Sequence, residues 1–134
     1  KILLRRVLSG GVMKIDNGIN KNISNRLHKM SKLIPQTLLS DIPDLYETEG
    51  SLNPMCHIKL FTPNSNWTWY IIEFSKADAK TCYGYVQGLD SELGYFTLEE
   101  LESIHGPLGL AIERDMLFEA TSFTKIKEDE YANR

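Results

Sequence analysis

The pattern that most constrains this chain lies between Met55 and Phe74, where apolar residues take up a period of two on either side of a turn-forming run. Cys56, Ile58 and Leu60 alternate with His57, Lys59 and Phe61. Thr62-Pro63-Asn64-Ser65-Asn66 then supplies turn chemistry, and Trp67 to Phe74 returns as an aromatic and β-branched run. A helix cannot satisfy a period of two, so this stretch predicts a β-hairpin. An isolated hairpin is marginal in water, so the rest of the chain must supply strands or helices to cover it.

The remaining segments offer both. Thr81 to Leu89 reads as a third strand, in which Gly84 and Gly88 mark a bulge or a close backbone approach. Leu93 to Phe96 is a fourth short strand that runs into a helix over Leu98 to Ile104. Thr97 caps that helix, Glu100 completes a capping box, and Phe96 with Leu101 forms a hydrophobic staple. Ala111 to Phe118 is a fifth strand, and the charged segment Lys125 to Arg134 reads as a flexible tail. Upstream, Ile19, Ile23, Leu27, Met30 and Ile34 recur at helical spacing, which predicts a helix over about Asn20 to Ile34 that stops at Pro35. A short helix or turn covers Gln36 to Asp41, Pro43 opens the segment Asp44 to Glu47, and Gly50 to Pro54 is a loop. The expected class is α+β: a small, mainly antiparallel sheet of about five strands, with an N-terminal helix and a capped helix after the fourth strand.

A chain of 134 residues with 42% apolar and 25% charged residues supports one domain with one core. The expected organisation is a single α+β domain over residues 31–124, a helical extension over 13–30 and the flexible tail over 125–134. Residues 1–12 are cationic, carry Gly10-Gly11 and end at Met13-Lys14-Ile15-Asp16, which looks like a bacterial start. Codons for Arg5-Arg6 and Gly10-Gly11 can form ribosome-binding sites, so residues 1–12 read either as an upstream leader or as a genuine basic arm.

The net charge of −3 provides no general basic field, which disfavours duplex DNA and anionic membranes as partners. Two cysteines are too few for a disulfide scaffold, and no stretch has the roughly 18 apolar residues of a membrane span, so a cytoplasmic protein is expected.

Several strings carry a family resemblance: Leu45-Tyr46-Glu47-Thr48-Glu49, His57-Ile58-Lys59-Leu60-Phe61-Thr62-Pro63, Ser65-Asn66-Trp67-Thr68-Trp69-Tyr70, Glu73-Phe74, Leu93-Gly94-Tyr95-Phe96, Leu98 with Glu100-Leu101-Glu102, Gly106-Pro107-Leu108-Gly109-Leu110 and Ile112-Glu113-Arg114-Asp115. In this order, from Leu33 to Phe118, the chain resembles the bacterial family labelled domain of unknown function 2958. The resemblance implies a small cytoplasmic protein of plasmids and integrative elements, encoded beside conjugation and anti-restriction functions. It implies no activity and no catalytic residue.

With a five-residue loop, Phe61 would lie opposite Trp67, Lys59 opposite Trp69 and His57 opposite Ile71. Cys56, Ile58 and Leu60 with Thr68, Tyr70 and Ile72 would then form the core face. Trp67, Trp69, Lys59 and His57 would form an aromatic and basic patch on the other face. Such a patch can stack bases and hold a phosphate. In the competing reading a helix covers this face, both tryptophans are core and Lys59 is a rim residue. Arg114 shares a strand face with Ile112, Met116 and Phe118, so it needs a partner: Glu73 or Glu47 in an internal ion pair, or a bound anion.

No catalytic residue is assigned, because no nucleophile-elbow, phosphate-loop or dinucleotide motif appears. No metal or other cofactor is expected either: Cys56 and His57 point to opposite faces, and His28 and His105 lack spaced partners. Glu99, Glu100 and Glu102 near a helix start are read as serving its cap and dipole. The expected function is a binding or interaction module whose partner is single-stranded nucleic acid or a protein, with the oligomeric state left open. The alternative is a small enzyme or nuclease-like accessory using Glu73, His57 and Arg114.

Overall fold

The computed structural model describes residues 33–133. The leader over 1–12, the extension over 13–30 and most of the helix expected over Asn20 to Ile34 lie outside the described residues. The last two residues of that expected helix, Leu33 and Ile34, form a turn and are buried.

In chain order the elements are α1 (Gln36–Leu39), β1 (Met55–Cys56), β2 (Ile58–Phe61), β3 (Thr68–Phe74), β4 (Thr81–Gln87), β5 (Ser91–Thr97), α2 (Leu98–Ser103), β6 (Glu113–Arg114), β7 (Thr121–Ser122) and α3 (Phe123–Ala132), with a 3-10 turn at Pro107–Gly109. Five strands form an antiparallel sheet in the order β5-β4-β3-β2-β6, and β1 pairs with β7 in a second, two-stranded sheet. The protein is therefore α+β with a mainly antiparallel sheet.

The helix start read from sequence forms as expected. Thr97 Oγ1 accepts the Glu100 amide at 3.1 Å, and Phe96 and Leu101 are both buried in the same core. Such a cap contributes about 1 kcal/mol.

Two other expectations change. The tail over 125–134 is largely helical: α3 runs to Ala132, Ser122 Oγ caps it by accepting the Lys125 amide at 3.3 Å, and Ile126 anchors it by burial. The fifth strand shrinks from Ala111–Phe118 to two residues. Asp115 turns the chain away, its carboxylate accepting the Leu117 amide at 3.0 Å and its carbonyl the Phe118 amide at 3.2 Å.

The sheet is buried on both faces. Ile58, Leu60, Trp69, Ile71, Cys82 and Phe96 pack with Leu33, Ile34, Ile42, Leu98, Leu101 and Ile112 on one side. Tyr70, Ile72, Tyr83 and Tyr85 pack with Leu45, Cys56 and Ile126 on the other, joined by Phe118 and Phe123. An extra residue in β3 between Ile71 and Glu73 shifts the register against β4. It puts Ile72 and Glu73 beside each other on the second side.

That second side makes one pH response predictable. Burial pushes Tyr70 up to about 12, and burial together with the hydrogen bond from its hydroxyl to Glu130 Oε1 at 2.6 Å pushes Tyr85 to about 12. Both phenols are thus held protonated by the fold. Their contribution is fully present below the unfolded value of about 10 and is lost as pH rises through about 12. A phenolate absorbance titration should show at least two of the six tyrosines ionising late, together with loss of sheet circular dichroism between those limits. All six ionising near pH 10 in an intact sheet would contradict it.

Candidate functional site

The hairpin is present, but its register is one residue off the expected one. Ile58 lies opposite Ile71, Lys59 opposite Tyr70, Leu60 opposite Trp69 and Phe61 opposite Thr68. The connection therefore runs from Thr62 through Trp67. The Trp67 carbonyl accepts the Thr62 amide at 3.1 Å, and Thr62 Oγ1 accepts the Trp67 amide at 3.3 Å. A one-residue slip carries every side chain of a strand to the other face. Trp69 consequently joins Ile58 and Leu60 in the core, and Lys59 lies beside Tyr70 on the opposite face. The strand also breaks at His57, which sends Cys56 to the second core while Ile58 stays in the first.

The expected patch is thus not formed as one face: Trp67 and Trp69 stay together, Lys59 meets Trp67 only at the cleft described below, and His57 stands apart at the strand break. Trp69 is buried, and Trp67 stacks on it at 5.9 Å between ring centroids while keeping 39% of its surface exposed. Lys59 is half-buried, pairs with Asp115 at 3.6 Å and lies 6.0 Å from the Tyr70 ring centre. His57 is partly buried at the strand break, its amide donating to the Ile71 carbonyl at 2.8 Å. Burial lowers its imidazole below the ordinary value, against the opposing pull of Asp41.

Arg114 and Glu73 do not meet. Glu73 is fully buried, and its carboxylate accepts the Tyr46 amide at 2.9 Å, the Thr48 amide at 3.0 Å and the Thr48 hydroxyl. It holds the turn over residues 45–50, where Tyr46 adopts a left-handed φ of 72°. Arg114 pairs in the sheet with Leu60. Its Nη2 donates to Met116 Sδ at 3.0 Å, and its Nε is buried with no acceptor. Among the described residues it has no carboxylate partner, so neither expected ion pair, with Glu73 or with Glu47, forms.

What the fold does bring together is a cleft at the loop end of the hairpin. About 460 Å³ in volume, it is lined by Lys59, Phe61, Trp67, Thr68, Arg114 and Met116, with the hydroxyl-bearing Thr62 and Ser65 and the Asp115 carboxylate. Two cationic residues face one carboxylate there. Thr62, Ser65 and Met116 were not singled out from the sequence. Thr62 and Ser65 looked like turn chemistry alone, and Met116 was assigned to a strand that does not reach it. Gly88 belongs to the same corner: a β-carbon there would lie 2.6 Å from Trp67 Cε3, so the absence of a side chain lets the indole settle on the β4–β5 turn. The close backbone approach expected at Gly84 and Gly88 is found at Gly84, against the Tyr70 carbonyl, whereas at Gly88 the neighbour is the Trp67 side chain.

Cys56 and Cys82 are free and buried, and burial pushes the Cys56 thiol up to about 12 and the Cys82 thiol well above its ordinary value. Both are poor nucleophiles and poor metal ligands in that state. Among the described residues no helix is long and apolar enough to cross a membrane.

Residues 31–128 fit the model of the family described as protein of unknown function, DUF2958. No curated protein and no solved structure matches the chain. The match runs past both ends of the stretch whose strings carried the resemblance and takes in the whole five-stranded sheet and the first half of α3, so the chain belongs to the DUF2958 family of proteins of unknown function.

Proposed function

We propose that the protein is a non-enzymatic binding module that takes a segment of single-stranded nucleic acid in the cleft at the loop end of the hairpin, a phosphate on Arg114 and a base against Trp67. The observation that carries this reading is the state of Arg114. Its guanidinium lines the cleft with no carboxylate partner among the described residues, its Nη2 meets only the Met116 sulfur, and its Nε is a buried donor with no acceptor among them. An unmet buried donor costs about 1–3 kcal/mol, which an anionic oxygen would recover. Trp67 supplies a part-exposed ring beside it, and Lys59 a second cation at the rim.

The alternative of a small enzyme using Glu73, His57 and Arg114 requires these side chains to converge on one cavity. Glu73 is sealed in the interior and spent on the 45–50 turn, so the geometry favours binding. The resemblance also implies a bacterial mobile element as the gene's setting and the cytoplasm as the protein's compartment. Conjugation and anti-restriction genes as neighbours would support that setting, and neighbours confined to core metabolism would argue against it.

Tryptophan fluorescence during titration with a single-stranded oligothymidylate tests the binding reading. Two phosphate contacts predict a salt slope of about −1.4, a loss of about sevenfold in affinity between 50 and 200 mM salt. Arg114→Gln should weaken binding at least about tenfold, since hydrogen bonds to charged groups contribute about 1.5–3 kcal/mol. Absence of quenching at low salt, or quenching that Arg114→Gln leaves unchanged, would remove the site.

A further inference from the structure

β5 lies at one edge of the main sheet, and among the described residues its only strand partner is β4. Edge strands of natural proteins are commonly blunted by lysine, proline, a bulge or shortness. This one, Ser-Glu-Leu-Gly-Tyr-Phe-Thr, is seven residues long and carries no lysine and no proline. Its register against β4 has no break, and its sole charge is Glu92.

At its centre Gly94 pairs with Gly84, so two glycines lie side by side across the strands. A glycine inside a strand often marks a place where another backbone comes close. For Gly84 that backbone is β3, whose Tyr70 carbonyl carbon would lie 2.9 Å from an added β-carbon. For Gly94, on the outermost strand, the described chain supplies no further strand.

On the sheet face behind this edge lies a second groove of about 390 Å³, with Trp67, Trp69 and Val86 as apolar wall and Leu89, Asp90 and Glu92 toward the β4–β5 turn and the edge. Leu89 is 94% exposed. Neither Asp90 nor Glu92 has a cationic side chain paired with it among the described residues.

We propose that the β5 edge docks an extended segment of a partner protein rich in basic and apolar residues. The segment adds a strand to the sheet outside β5, sets an apolar side chain against Leu89 at the β4–β5 turn, and sets a lysine or arginine beside Asp90 and Glu92. Main-chain hydrogen bonds supply affinity in this mode and alternate side chains supply specificity. The charge selects the partner. A second copy of the chain pairing antiparallel about Gly94 would put Glu92 opposite Phe96, which leaves the carboxylate without a counter-charge and meets a side chain that is already buried. A basic segment neutralises both acids.

The probe is a blocked octapeptide of two Val-Val-Lys-Lys repeats, which presents valine and lysine alternately on each face of a strand. Its controls replace lysine by glutamate or methylate alternate amide nitrogens. In the full chain, the lysine peptide should slow amide hydrogen exchange across Ser91–Thr97 and bind at least about tenfold more tightly than either control, and the double variant Asp90→Lys, Glu92→Lys should lose the effect. Arg114→Gln should leave peptide binding unchanged, so failure here is separable from failure of the nucleic-acid reading. The proposal is overturned by equal binding of the methylated peptide, by no protection at millimolar peptide, or by the outward-facing β5 amides, those not bonded to β4, being already protected in the monomer, which would make the chain's own residues the occupant. Protection that appears only with dimerisation in sedimentation would also overturn it, in favour of a second copy.

Discussion

Glu73→Ala should cost the fold about 3–5 kcal/mol, one of the largest losses from a single side chain outside the apolar core. The carboxylate is wholly buried and accepts two backbone amides and a hydroxyl from Tyr46 and Thr48. Alanine leaves those three donors in a space closed to water, each a penalty of about 1–3 kcal/mol. The turn they belong to also contains a tyrosine in the left-handed region, which the carboxylate helps to hold. Glu73→Gln keeps the volume but turns donors of its own toward the Thr48 amide, so a loss of about 1–3 kcal/mol is expected. Thr48→Val removes only the hydroxyl contact and should lie below both. Urea unfolding ranks the three variants. A loss under about 1 kcal/mol for Glu73→Ala would mean that the 45–50 turn is held by other contacts.

Glu73 also marks where sequence reading stops. Its position in a strand is legible from the Trp67 to Phe74 run. Its partners are not, because they are backbone amides 25 and 27 residues upstream, and main-chain donors leave no signature in side-chain identity. The apolar strand face around Arg114 calls for a partner, Glu73, Glu47 or a bound anion, and among the described residues neither carboxylate reaches it.

The hairpin teaches the same lesson about register. Its existence follows from the period of two, but the choice between a loop of five residues and one of six depends on which face of β3 is apolar. Trp67, Trp69 and Ile71 on one parity are no more apolar than Tyr70 and Ile72 on the other. β3 is covered on both sides, and a strand buried on both faces loses the alternation that sets register. One residue of slip then moved Trp69 into the core and Lys59 away from it. The capped helix α2 was legible because its signals are local: Thr97, Glu100, Phe96 and Leu101 lie within one turn of each other. In α3 the local signals, Ser122 as cap and Phe123 with Ile126 at helical spacing, were present but outweighed by the surrounding charge.

Gly84→Ala should be the most damaging small substitution in the sheet, and Gly88→Ala, chemically the same change four residues on, should be mild. The difference lies in what the added methyl meets. At Gly84 it collides with the Tyr70 carbonyl oxygen and comes within 2.9 Å of the carbonyl carbon, at the pairing of β3 with β4 beside the bulge. Backbone cannot step aside there without parting two central strands. The cost is about 3 kcal/mol or more, at the upper end for overpacking, and should lower the midpoint of thermal unfolding by about 10 °C. At Gly88 the methyl meets the indole of Trp67, which sits on the rim and can rotate toward solvent. That variant should lose about 1 kcal/mol or less while its tryptophan emission shifts to the red, because the ring leaves its seat on the β4–β5 turn. The same movement opens both grooves that Trp67 lines. Gly88→Ala should therefore weaken oligothymidylate binding without unfolding the protein, which Gly84→Ala cannot do. Equal thermal losses in the two variants would show that the β4 backbone yields at Gly84 as readily as a side chain does at Gly88.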